Sequence, residues 1–500
     1  MGWKSTVIRP YAAHLSRQIK KWKGTAVADQ KATLIRLMRK ASQTAFGSDH
    51  GFSEIKSHQD FIERVPVRDY EQLRTYVDRM VDGQPDILWP GKPKYYAKTS
   101  GTTSGVKYIP ITHHSMPSHI SAARSAMMNY VHQSGNAGIF DGKMIFLSGS
   151  PELTKKAGVD MGRLSGIVNH EVPSWVKGNQ LPSYDTNCIE DWEPKLQKIL
   201  DETLQHDMRL ISGIPPWVQM YYEQLLIRTG KSTVLEVFPN FSLFMYGGVN
   251  YSPYKQKLEE LIGKKIDSIE TYPASEGFIA FQDRLGDPGL LLNTDAGMFY
   301  EFVPAQEIWN EKPTRLGLEE VEIDVDYAIL ISSNAGLWAY NIGDMVRFVS
   351  LDPYKVVVSG RVKHFISAFG EHVIGKEVES AMLEVSARNQ VKVVEFTVAP
   401  QVQTPQDVLP YHEWFIEFDG FPDDIDAFAS ELDDAMVRQN IYYRDLIDGK
   451  ILQPLKIAPL EKGAFRSYMK SIGKLGGQNK VPRLSNDRNL ASPLQSYLHI

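Results

Sequence analysis

The chain is poor in cysteine: Cys188 is the only one among its 500 residues. A single thiol cannot form an intramolecular disulfide, and it cannot supply a cysteine-bound metal cluster. Its presence alone fits a reducing compartment, so we expect a cytoplasmic protein. The sequence therefore excludes disulfide-stapled and cysteine-cluster classes of protein.

The sequence also lacks long hydrophobic runs and an excess of positive charge. No run approaches the ~20 apolar residues that a membrane helix needs, and Met1–Gly24 has no signal-peptide apolar core. The chain carries 55 Lys and Arg against 60 Asp and Glu, a net charge of −5. Nothing here points to nucleic acid or a membrane as a partner. The apolar spacing over 7–22 favours an amphipathic helix packed on the protein body over one lying on a membrane.

What the sequence does contain is an ordinary globular composition, 42% hydrophobic and 23% charged. Strand-like runs alternate with helical periodicity over the first 360 residues, which predicts an α/β fold. Beyond this point, strand patterns at Val391–Val398 and Trp414–Phe418 precede a helix that reaches Arg438. These indicate a small α+β domain that begins near Ser359-Gly360-Arg361.

The most informative segment is Thr99–Gly105, Thr-Ser-Gly-Thr-Thr-Ser-Gly, with Lys107 two residues further on. Glycine lets backbone N–H groups approach a ligand closely, and a row of such groups binds anions. Hydroxyl groups add donors, and the lysine adds a charge. The segment predicts a loop that grips nucleotide phosphates; an ordinary polar loop is the alternative. It is not a Walker loop, because no Gly-Lys-Ser/Thr ending follows. The residues assigned to the nucleotide here are Thr99, Ser100, Gly101, Thr102, Thr103 and Gly105.

A second candidate, Tyr272–Gly277, follows the predicted strand Ile266–Thr271. Ligands of open α/β sheets bind at the carboxyl ends of strands. Tyr272 is suited to stacking on a base, and Glu276 to holding Mg²⁺, which prefers carboxylate oxygen. The alternative is a surface turn with a solvated glutamate.

Two further glycine turns also accompany predicted strands. In Tyr246-Gly247-Gly248-Val249-Asn250, the glycines allow the backbone to lie flat against a planar ligand such as adenine; a tight turn is the alternative. In Tyr340–Asp344, the carboxylate of Asp344 is suited to accepting hydrogen bonds from two ribose hydroxyls. A common glycine turn is the alternative there.

Two segments of the smaller domain complete the set. Gly360-Arg361 leads to Gly370-Glu371-His372, and Gly476–Arg483 lies near the C-terminus. A lysine on a glycine-rich loop, Lys480, can reach an active site as a mobile charge. A flexible tail is the alternative.

Taken in order, these segments resemble the adenylate-forming superfamily of acyl-CoA synthetases, luciferases and peptide-synthetase adenylation domains. Within it, the sequence is similar to the auxin-responsive acyl acid amido synthetase family, as a bacterial-type member. The family's phosphate loop, Ser-Ser-Gly-Thr-Ser-x-Gly, is matched by Thr99–Gly105. Its other motifs are matched by Tyr272, Ser275 and Glu276, by Tyr340, Gly343 and Asp344, and by Gln478, Lys480, Pro482 and Arg483.

Three positions depart from the family pattern. Asn341 stands where the family usually has arginine, so that a positive charge beside the ribose turn is missing. Lys107 lies one residue early relative to the family's loop lysine. Glu371-His372 replaces the acidic residue and lysine of plant members.

The resemblance implies an ATP-dependent ligase. A carboxylic acid attacks the α-phosphate of ATP, pyrophosphate leaves, and an amino acid or other amine then displaces AMP from the acyl-adenylate. The resemblance implies a large multi-sheet N-terminal domain over 1–359, with helices packed on its sheets, that binds ATP and the acyl acid. A small mobile α+β domain over 360–500 acts as a lid. Transfer to a thiol such as CoA, and a non-catalytic nucleotide-binding module, are the alternatives.

The same resemblance assigns roles to individual residues. Glu276 holds Mg²⁺, and Lys480 bridges the phosphates from the small domain. Asp344 binds the ribose. In addition to the phosphate loop, the residues assigned to contacts with the adenine and the phosphates are Gly247, Gly248, Val249, Tyr272, Ser275 and Arg361.

The acid pocket is assigned from the residues near these motifs. Arg124, on a helix after the phosphate loop, is a candidate partner for the substrate carboxylate, or else a surface residue. Trp217 and Tyr246 are candidates for an apolar wall, or else core residues. The expected partners are a small carboxylic acid and an amino acid or amine, and the chain is expected to act as a monomer or homodimer.

Overall fold

The computed structural model describes residues 3–100, 106–172, 174–189, 192–248, 251–362, 365–366, 373–402, 404, 408–449, 451–475, 480–485 and 488–499. The chain divides into two compact units, a large unit over Met1–Val358 and a small unit over Ser359–Ile500. Each is described separately below.

The helices of the described residues are α1 Trp3–Lys23, α2 Ala26–Ala41, α3 Ala45–Asp49, α4 His58–Arg64, α5 Tyr70–Val81, α6 Met116–Ser134, α7 Leu164–Glu171, α8 Ser174–Lys177, α9 Tyr184–Cys188, α10 Trp192–Thr203, α11 Pro215–Thr229, α12 Val234–Val237, α13 Ser252–Ile262, α14 Gly375–Arg388, α15 Ile425–Gln439, α16 Ile441–Asp448, α17 Ala464–Ser471 and α18 Ala491–Leu494. Short 3₁₀ helices lie at Ala137–Phe140, Ala305–Glu307, Leu318–Glu320 and Gln495–Tyr497.

The strands are β1 Tyr95–Ser100, β2 Val106–Ile111, β3 Lys143–Phe146, β4 Thr154–Lys156, β5 Val159–Gly162, β6 Gln180–Leu181, β7 Met208–Ser212, β8 Leu243–Gly247, β9 Asp267–Ala274, β10 Gly277–Gln282, β11 Leu290–Leu292, β12 Met298–Pro304, β13 Asp326–Ser333, β14 Tyr340–Leu351, β15 Tyr354–Arg361, β16 Phe365–Ile366, β17 Val373–Ile374, β18 Val393–Gln401, β19 Tyr411–Phe418 and β20 Lys456–Leu460.

A mixed sheet organises the large unit, with strand order β12-β13-β14-β15-β11-β10-β9-β8-β7-β3-β6. Strands β6, β3, β7, β8 and β9 are parallel, so their carboxyl ends meet at one edge. From β9 onward through β10 and β11, and again through β12, β13 and β14, the pairing is antiparallel. Helical crossovers join the parallel strands, as their geometry requires. A second sheet of order β2-β1-β5-β4 carries the β1–β2 hairpin.

Apolar helix faces cover these sheets. Helix α1 buries Ile8, Ala12 and Leu15 against α6, in one cluster with β7 and β8. This is the N-terminal amphipathic helix that the apolar spacing predicts. Helices α2 and α5 pack in the main core with β1, β12 and β13. No helix among the described residues is both long and apolar enough to cross a membrane.

The small unit is a three-stranded sheet of order β18-β19-β20 between two helical layers. Phe396, Trp414 and neighbouring side chains pack under α14 and α15, while Phe415 faces α17 and α18. Alternate residues of β19 therefore serve opposite cores, as the period of a strand dictates. Asp424 caps α15: its carboxylate accepts from the backbone N–H groups of the helix's first turn.

The predicted α/β architecture, with a multi-sheet large part and a smaller α+β part, is confirmed. Two turn predictions need correction. Strand β9 continues to Ala274, so Tyr272 lies within a strand, and only Ser275-Glu276 form the turn. Tyr340–Asp344 is likewise part of strand β14 and not a turn before it. In both places pairing with a neighbouring strand, which no local pattern reveals, extends the strand through residues that look turn-like.

Candidate active site

The β9–β10 hairpin presents the first predicted group. Gly277 pairs with Ala274, which leaves Ser275 and Glu276 as the two-residue connection. An added Cβ on Gly277 would lie 2.2 Å from the sulfur of the buried Met298, so that this side chain would have to move. The hairpin is thus closely packed behind the turn that carries Glu276.

Tyr272 and Asp344 form a direct buried contact across the sheet. The Tyr272 hydroxyl donates to the Asp344 carboxylate, with an O–O distance of 2.6 Å. Both residues are only 6% exposed. A short hydrogen bond to a carboxylate is stronger than one between neutral groups, so it orients the Asp344 side chain. Two residues that lie 72 positions apart in sequence thus belong to one site.

A bulge in β14 delivers Asp344 to this contact. Between the pairs Leu330–Asn341 and Ala328–Met345, β14 carries three residues where β13 carries one. Gly343 lies in the bulge with φ +85°, a left-handed conformation that glycine adopts without strain. The side-chain amide oxygen of Asn341, Oδ1, accepts from the Gly343 N–H at 2.8 Å. Asn341, at the position where the family has arginine, therefore stabilises the bulge itself.

Tyr340 connects the Glu276 hairpin with helix α5. Burial raises the pKa of Tyr340 well above its usual value, and the negative charges of Glu276 and Asp69 raise it further. The start of α5 lies beside it, because the backbone of Arg68 pairs with that of Tyr340. Carboxyl groups from two separate segments therefore act electrostatically on the Tyr340 phenol.

The predicted phosphate segment begins at the end of β1 and leads into β2. Thr99 pairs with Lys107 across the hairpin, and Ser100 pairs with Val106. The Lys107 ammonium lies 5.6 Å from the ring centre of Tyr70, and the Tyr70 hydroxyl accepts from the Tyr108 N–H at 2.9 Å. Arg68, two residues before Tyr70, pairs with Tyr340 on strand β14. The segment at the start of α5 therefore contacts both the β1–β2 hairpin and the strand that carries Asp344.

The glycine turn after β8 is held by close backbone approach. An added Cβ on Gly247 would lie 2.2 Å from the Thr271 carbonyl oxygen, so only glycine fits. The Thr271 hydroxyl donates to the Tyr246 carbonyl at 2.9 Å. Gly248 has φ +74°. Gly247, the last residue of β8, pairs with Thr271 on the adjacent parallel strand β9. Thr271 directly precedes Tyr272 in the chain.

The structure describes the remaining residues assigned to the nucleotide only in part. Gly101, Thr102, Thr103, Gly105 and Val249 lie outside the described residues. Ser100 and Arg361 are described only as the last residues of β1 and β15.

The three residues assigned to the acid pocket have different surroundings. Arg124 lies on an exposed face of α6. Trp217 is buried against Trp192, with ring centres 5.0 Å apart. Tyr246 is buried against Tyr251, 4.6 Å away. The last two are therefore core contacts of α11 and β8.

Lys480 belongs to the small unit, where it is exposed. The chain from Lys480 to Leu484 runs beside strand β18 and pairs with it at Val398. Glu371 and His372 lie outside the described residues.

Sequence reasoning missed two buried polar residues of the large unit. His119, 5% exposed on α6, has its pKa lowered to about 4 by burial. Lys195 donates to the carbonyls of Asn187 and Ser148, the latter just after β3, and burial lowers its pKa to about 8. Neither residue stands in a motif. Only the odd occurrence of a polar side chain in an apolar helical stripe could have signalled them.

The gathered groups are suited to an anionic ligand with a metal ion. One carboxylate is oriented by a phenol, a second lies at a hairpin turn, and a lysine projects from the neighbouring hairpin. Among the described residues there is no cluster of three or more His, Cys, Asp or Glu that would bind a metal unaided. A divalent cation here needs the ligand's own oxygens, which is how Mg²⁺ binds with phosphates.

Comparison with known proteins gives relatives over most of the chain. A jasmonoyl–L-amino acid synthetase of Nicotiana attenuata is 22% identical over 64% of this chain and 66% of its own length. One from Oryza sativa subsp. japonica is 21% identical over 92% of both chains. The solved structure of the acyl acid amido synthetase GH3.15 of Arabidopsis thaliana with 2,4-DB has a TM-score of 0.82 at 17% identity. It covers 98% of this chain and is itself covered to 96%.

Family models match in the same order as the sequence motifs. The GH3 family N-terminal domain matches residues 15–181, the central domain 291–361 and the C-terminal domain 376–489. Together they span well over half of the chain. These comparisons do not test whether the chain is a bacterial-type member of the family, which stays a prediction. The resemblance to the acyl acid amido synthetases is confirmed: this chain belongs to the GH3 family.

Proposed function

We propose that this chain is an ATP-dependent acyl acid amido synthetase, a ligase that forms a C–N bond. It activates a carboxylic acid as an acyl-adenylate and passes the acyl group to an amino acid or another amine. The observation that carries the proposal is the buried Tyr272–Asp344 hydrogen bond, next to the β9–β10 turn with Glu276. The start of α5, which contacts the β1–β2 hairpin, pairs with the same strand as Asp344. The amido synthetases among the relatives support the same reaction.

In this proposal Asp344 binds the ribose of ATP. A carboxylate accepts hydrogen bonds from two neighbouring hydroxyls, and the Tyr272 hydroxyl holds it in place. The flat backbone at Gly247 and Gly248, with Val249 and Ser275, borders the adenine. The phosphates lie over the β1–β2 connection, Thr99 to Gly105. Arg361 completes the nucleotide contacts from the end of β15.

Glu276 is the proposed Mg²⁺ ligand. A bound Mg²⁺ neutralises phosphate charge and so allows the substrate carboxylate to approach the α-phosphate. Glu276 would suit this ion, because its carboxylate offers hard oxygen donors. Since the described residues contain no group of three or more metal ligands, oxygens of phosphate and water would have to supply the other ligands.

Lys480 is the proposed cation for adenylate formation, presented by the small unit as a lid. The domains on this view are an ATP- and acid-binding region over 1–359 and a lid over 360–500. The acid pocket lies next to α6, where Arg124 is the proposed contact of the acid's carboxylate, and Trp217 and Tyr246 support the pocket from behind. We keep the cytoplasm as the expected compartment and a monomer or homodimer as the working state.

Exchange of labelled pyrophosphate into ATP tests the first half-reaction. We expect exchange that depends on both the acid and Mg²⁺ when a panel of aromatic and aliphatic carboxylic acids is screened. Reactions without acid are the control. No exchange with any acid would contradict the proposal and favour a nucleotide-binding module.

The acceptor is tested with the acid that supports exchange. Amino acids, simple amines and CoA are supplied in parallel, and the products are identified by mass spectrometry. We expect an amide from an amino acid. A thioester formed in preference to any amide would replace the proposed acceptor while leaving the adenylation step intact.

A further inference from the structure

Arg483 is clamped inside the small unit by two carboxylates from different elements. Its Nε donates to Glu379 on α14 at 3.0 Å, and its Nη1 pairs with Glu395 on β18. The guanidinium also lies 4.8 Å from the ring centre of Phe396. The three charged side chains are between 12% and 15% exposed. An ion pair so shielded from water is screened far less than a surface pair.

The same residue fixes the backbone of its segment to the sheet. The Val398 N–H donates to the Arg483 carbonyl at 2.9 Å, and the Ser485 N–H donates to the Val398 carbonyl at 2.9 Å. The Thr397 hydroxyl donates to the Pro482 carbonyl at 2.7 Å. Residues 482–485 therefore extend the sheet along the edge of β18. The chain is anchored from Pro482 onward.

Lys480 lies immediately before this anchor and is exposed. Arg483 follows three positions after it, a span of ~10 Å in extended chain. The position from which the lysine side chain extends is thus set by where Arg483 holds the backbone.

We propose that Arg483 is a positioning residue for Lys480: the Glu379–Arg483–Glu395 clamp sets where the lysine is presented for adenylate formation. The inference rests on the function proposed above. It requires an arginine, because a planar guanidinium can bind two carboxylates on different elements while stacking on a ring. A lysine offers one point charge and cannot hold both at fixed angles.

Hydrogen exchange tests the anchor without reference to activity. In Arg483→Met, exchange at the Ser485 amide should rise at least tenfold, because its strand pairing loses the clamp. Arg488→Met is the matched control: Arg488 pairs with Glu413 at 2.5 Å and lies 5.9 Å from the Phe415 ring, in the same unit. Unchanged exchange at Ser485 in Arg483→Met would overturn the inference.

Kinetics then test the role. Arg483→Met should slow acid-dependent pyrophosphate exchange at least tenfold, while the Kd of ATP changes less than about threefold. Arg483→Lys should recover part of the rate. Arg488→Met should lower the melting temperature to a similar extent without this selective loss. Equal losses of ATP binding and exchange in Arg483→Met would mean a merely structural role.

A double variant separates action through Lys480 from general damage. If Arg483 works by placing the lysine, adding Arg483→Met to Lys480→Ala should slow exchange no further than Lys480→Ala alone. Additive losses would overturn the inference. If the wild-type chain supports no exchange with any acid, the proposed function fails, and the inference fails with it even where hydrogen exchange shows the clamp to be real.

Discussion

The two regions that carry the proposed chemistry are held in different ways. In the large unit, Asp344 lies on strand β14, where the buried Tyr272 hydroxyl donates to its carboxylate, and Glu276 lies in the tight turn between β9 and β10. In the small unit, Lys480 is exposed, and the ion pairs of Arg483 lie three residues further along the chain. The proposed ribose ligand is thus held within a sheet, while the proposed catalytic lysine stands on an exposed segment next to an anchored one.

This difference predicts different consequences of mutation. Changes in the large unit should disturb nucleotide binding and chemistry together, because the same side chains serve both. Changes in the small unit should affect one chemical step and leave ATP binding almost untouched. The four predictions that follow test this contrast, in order of decreasing expected effect.

Glu276→Ala should have the largest effect. Removing the proposed metal ligand should lower acid-dependent pyrophosphate exchange about a thousandfold, since preorganised charge stabilisation at a reacting phosphate contributes on this scale. The Mg²⁺ concentration that gives half-maximal rate should rise as well. Glu322→Ala, at an exposed position of the same unit, is the control. A rate of pyrophosphate exchange within a few-fold of the wild-type rate would contradict the proposed role of Glu276 as a metal ligand.

Lys480→Ala should slow exchange about a hundredfold. The Kd of ATP, measured by calorimetry, should change less than about threefold, because the lysine is proposed to act during the reaction and not in binding. Lys474→Ala, another exposed lysine of the small unit, should behave as wild type. If ATP affinity fell as far as the rate, the contrast between the two units would be lost.

Tyr272→Phe should weaken ATP about tenfold. The variant removes the hydrogen bond that orients the Asp344 carboxylate and leaves a buried oxygen without that donor, a loss of roughly 1–3 kcal/mol. Tyr300→Phe is the matched control, because it also removes a buried tyrosine hydroxyl that donates a hydrogen bond, in this case to the Asn293 carbonyl at 3.1 Å. Both variants should melt at lower temperature, but only Tyr272→Phe should bind ATP less tightly. Equal ATP affinity in Tyr272→Phe and Tyr300→Phe would contradict the proposed role of Asp344 in binding the ribose.

Glu270→Gln should have the smallest effect, on stability alone. Burial raises the pKa of Glu270, on β9 beside Tyr246, to about 7, and Tyr246 only partly offsets this. The unfolded chain ionises near the usual value of 4.5. Between these values the folded state alone holds the proton, so stability falls as the pH rises from about 4.5 to 7, by about 3 kcal/mol in total.

The variant cannot ionise at this position and should lose that part of the pH dependence. Melting temperatures measured from pH 5 to pH 8 should fall more steeply for the wild type than for Glu270→Gln. Glu322→Gln should follow the wild type. Parallel melting curves for wild type and Glu270→Gln would show that the carboxyl ionises normally in the folded protein.

Local sequence patterns were good guides where one element decides the structure. Apolar spacing predicted α1, and the alternation of strands and helices predicted the α/β class. Short apolar runs located β8 and β9 before their glycine and polar turns. Each of these predictions depends on the spacing of apolar residues within one helix or one strand, and this spacing can be read directly from the sequence.

Other features could not be read this way. The turn-like sequence at Tyr340–Asp344 is a bulge within β14, because pairing with β13 continues on either side of it. Tyr70 carries no motif, yet its hydroxyl accepts a hydrogen bond from the Tyr108 N–H of the β1–β2 hairpin. Trp217, proposed for the acid pocket, packs its ring against Trp192. In each case the partner comes from a distant part of the chain.

The sequence by itself determined which chemical groups this protein has and in what order they occur, and with them its family. Glycines, hydroxyls, carboxylates and a lysine stand at motif spacings whatever the fold does. Only the tertiary structure decided which of them meet, because the Tyr272–Asp344 bond and the Arg483 clamp join residues 72 and 104 positions apart. Contacts over such separations depend on strand register and packing of the whole domain, which no local pattern encodes.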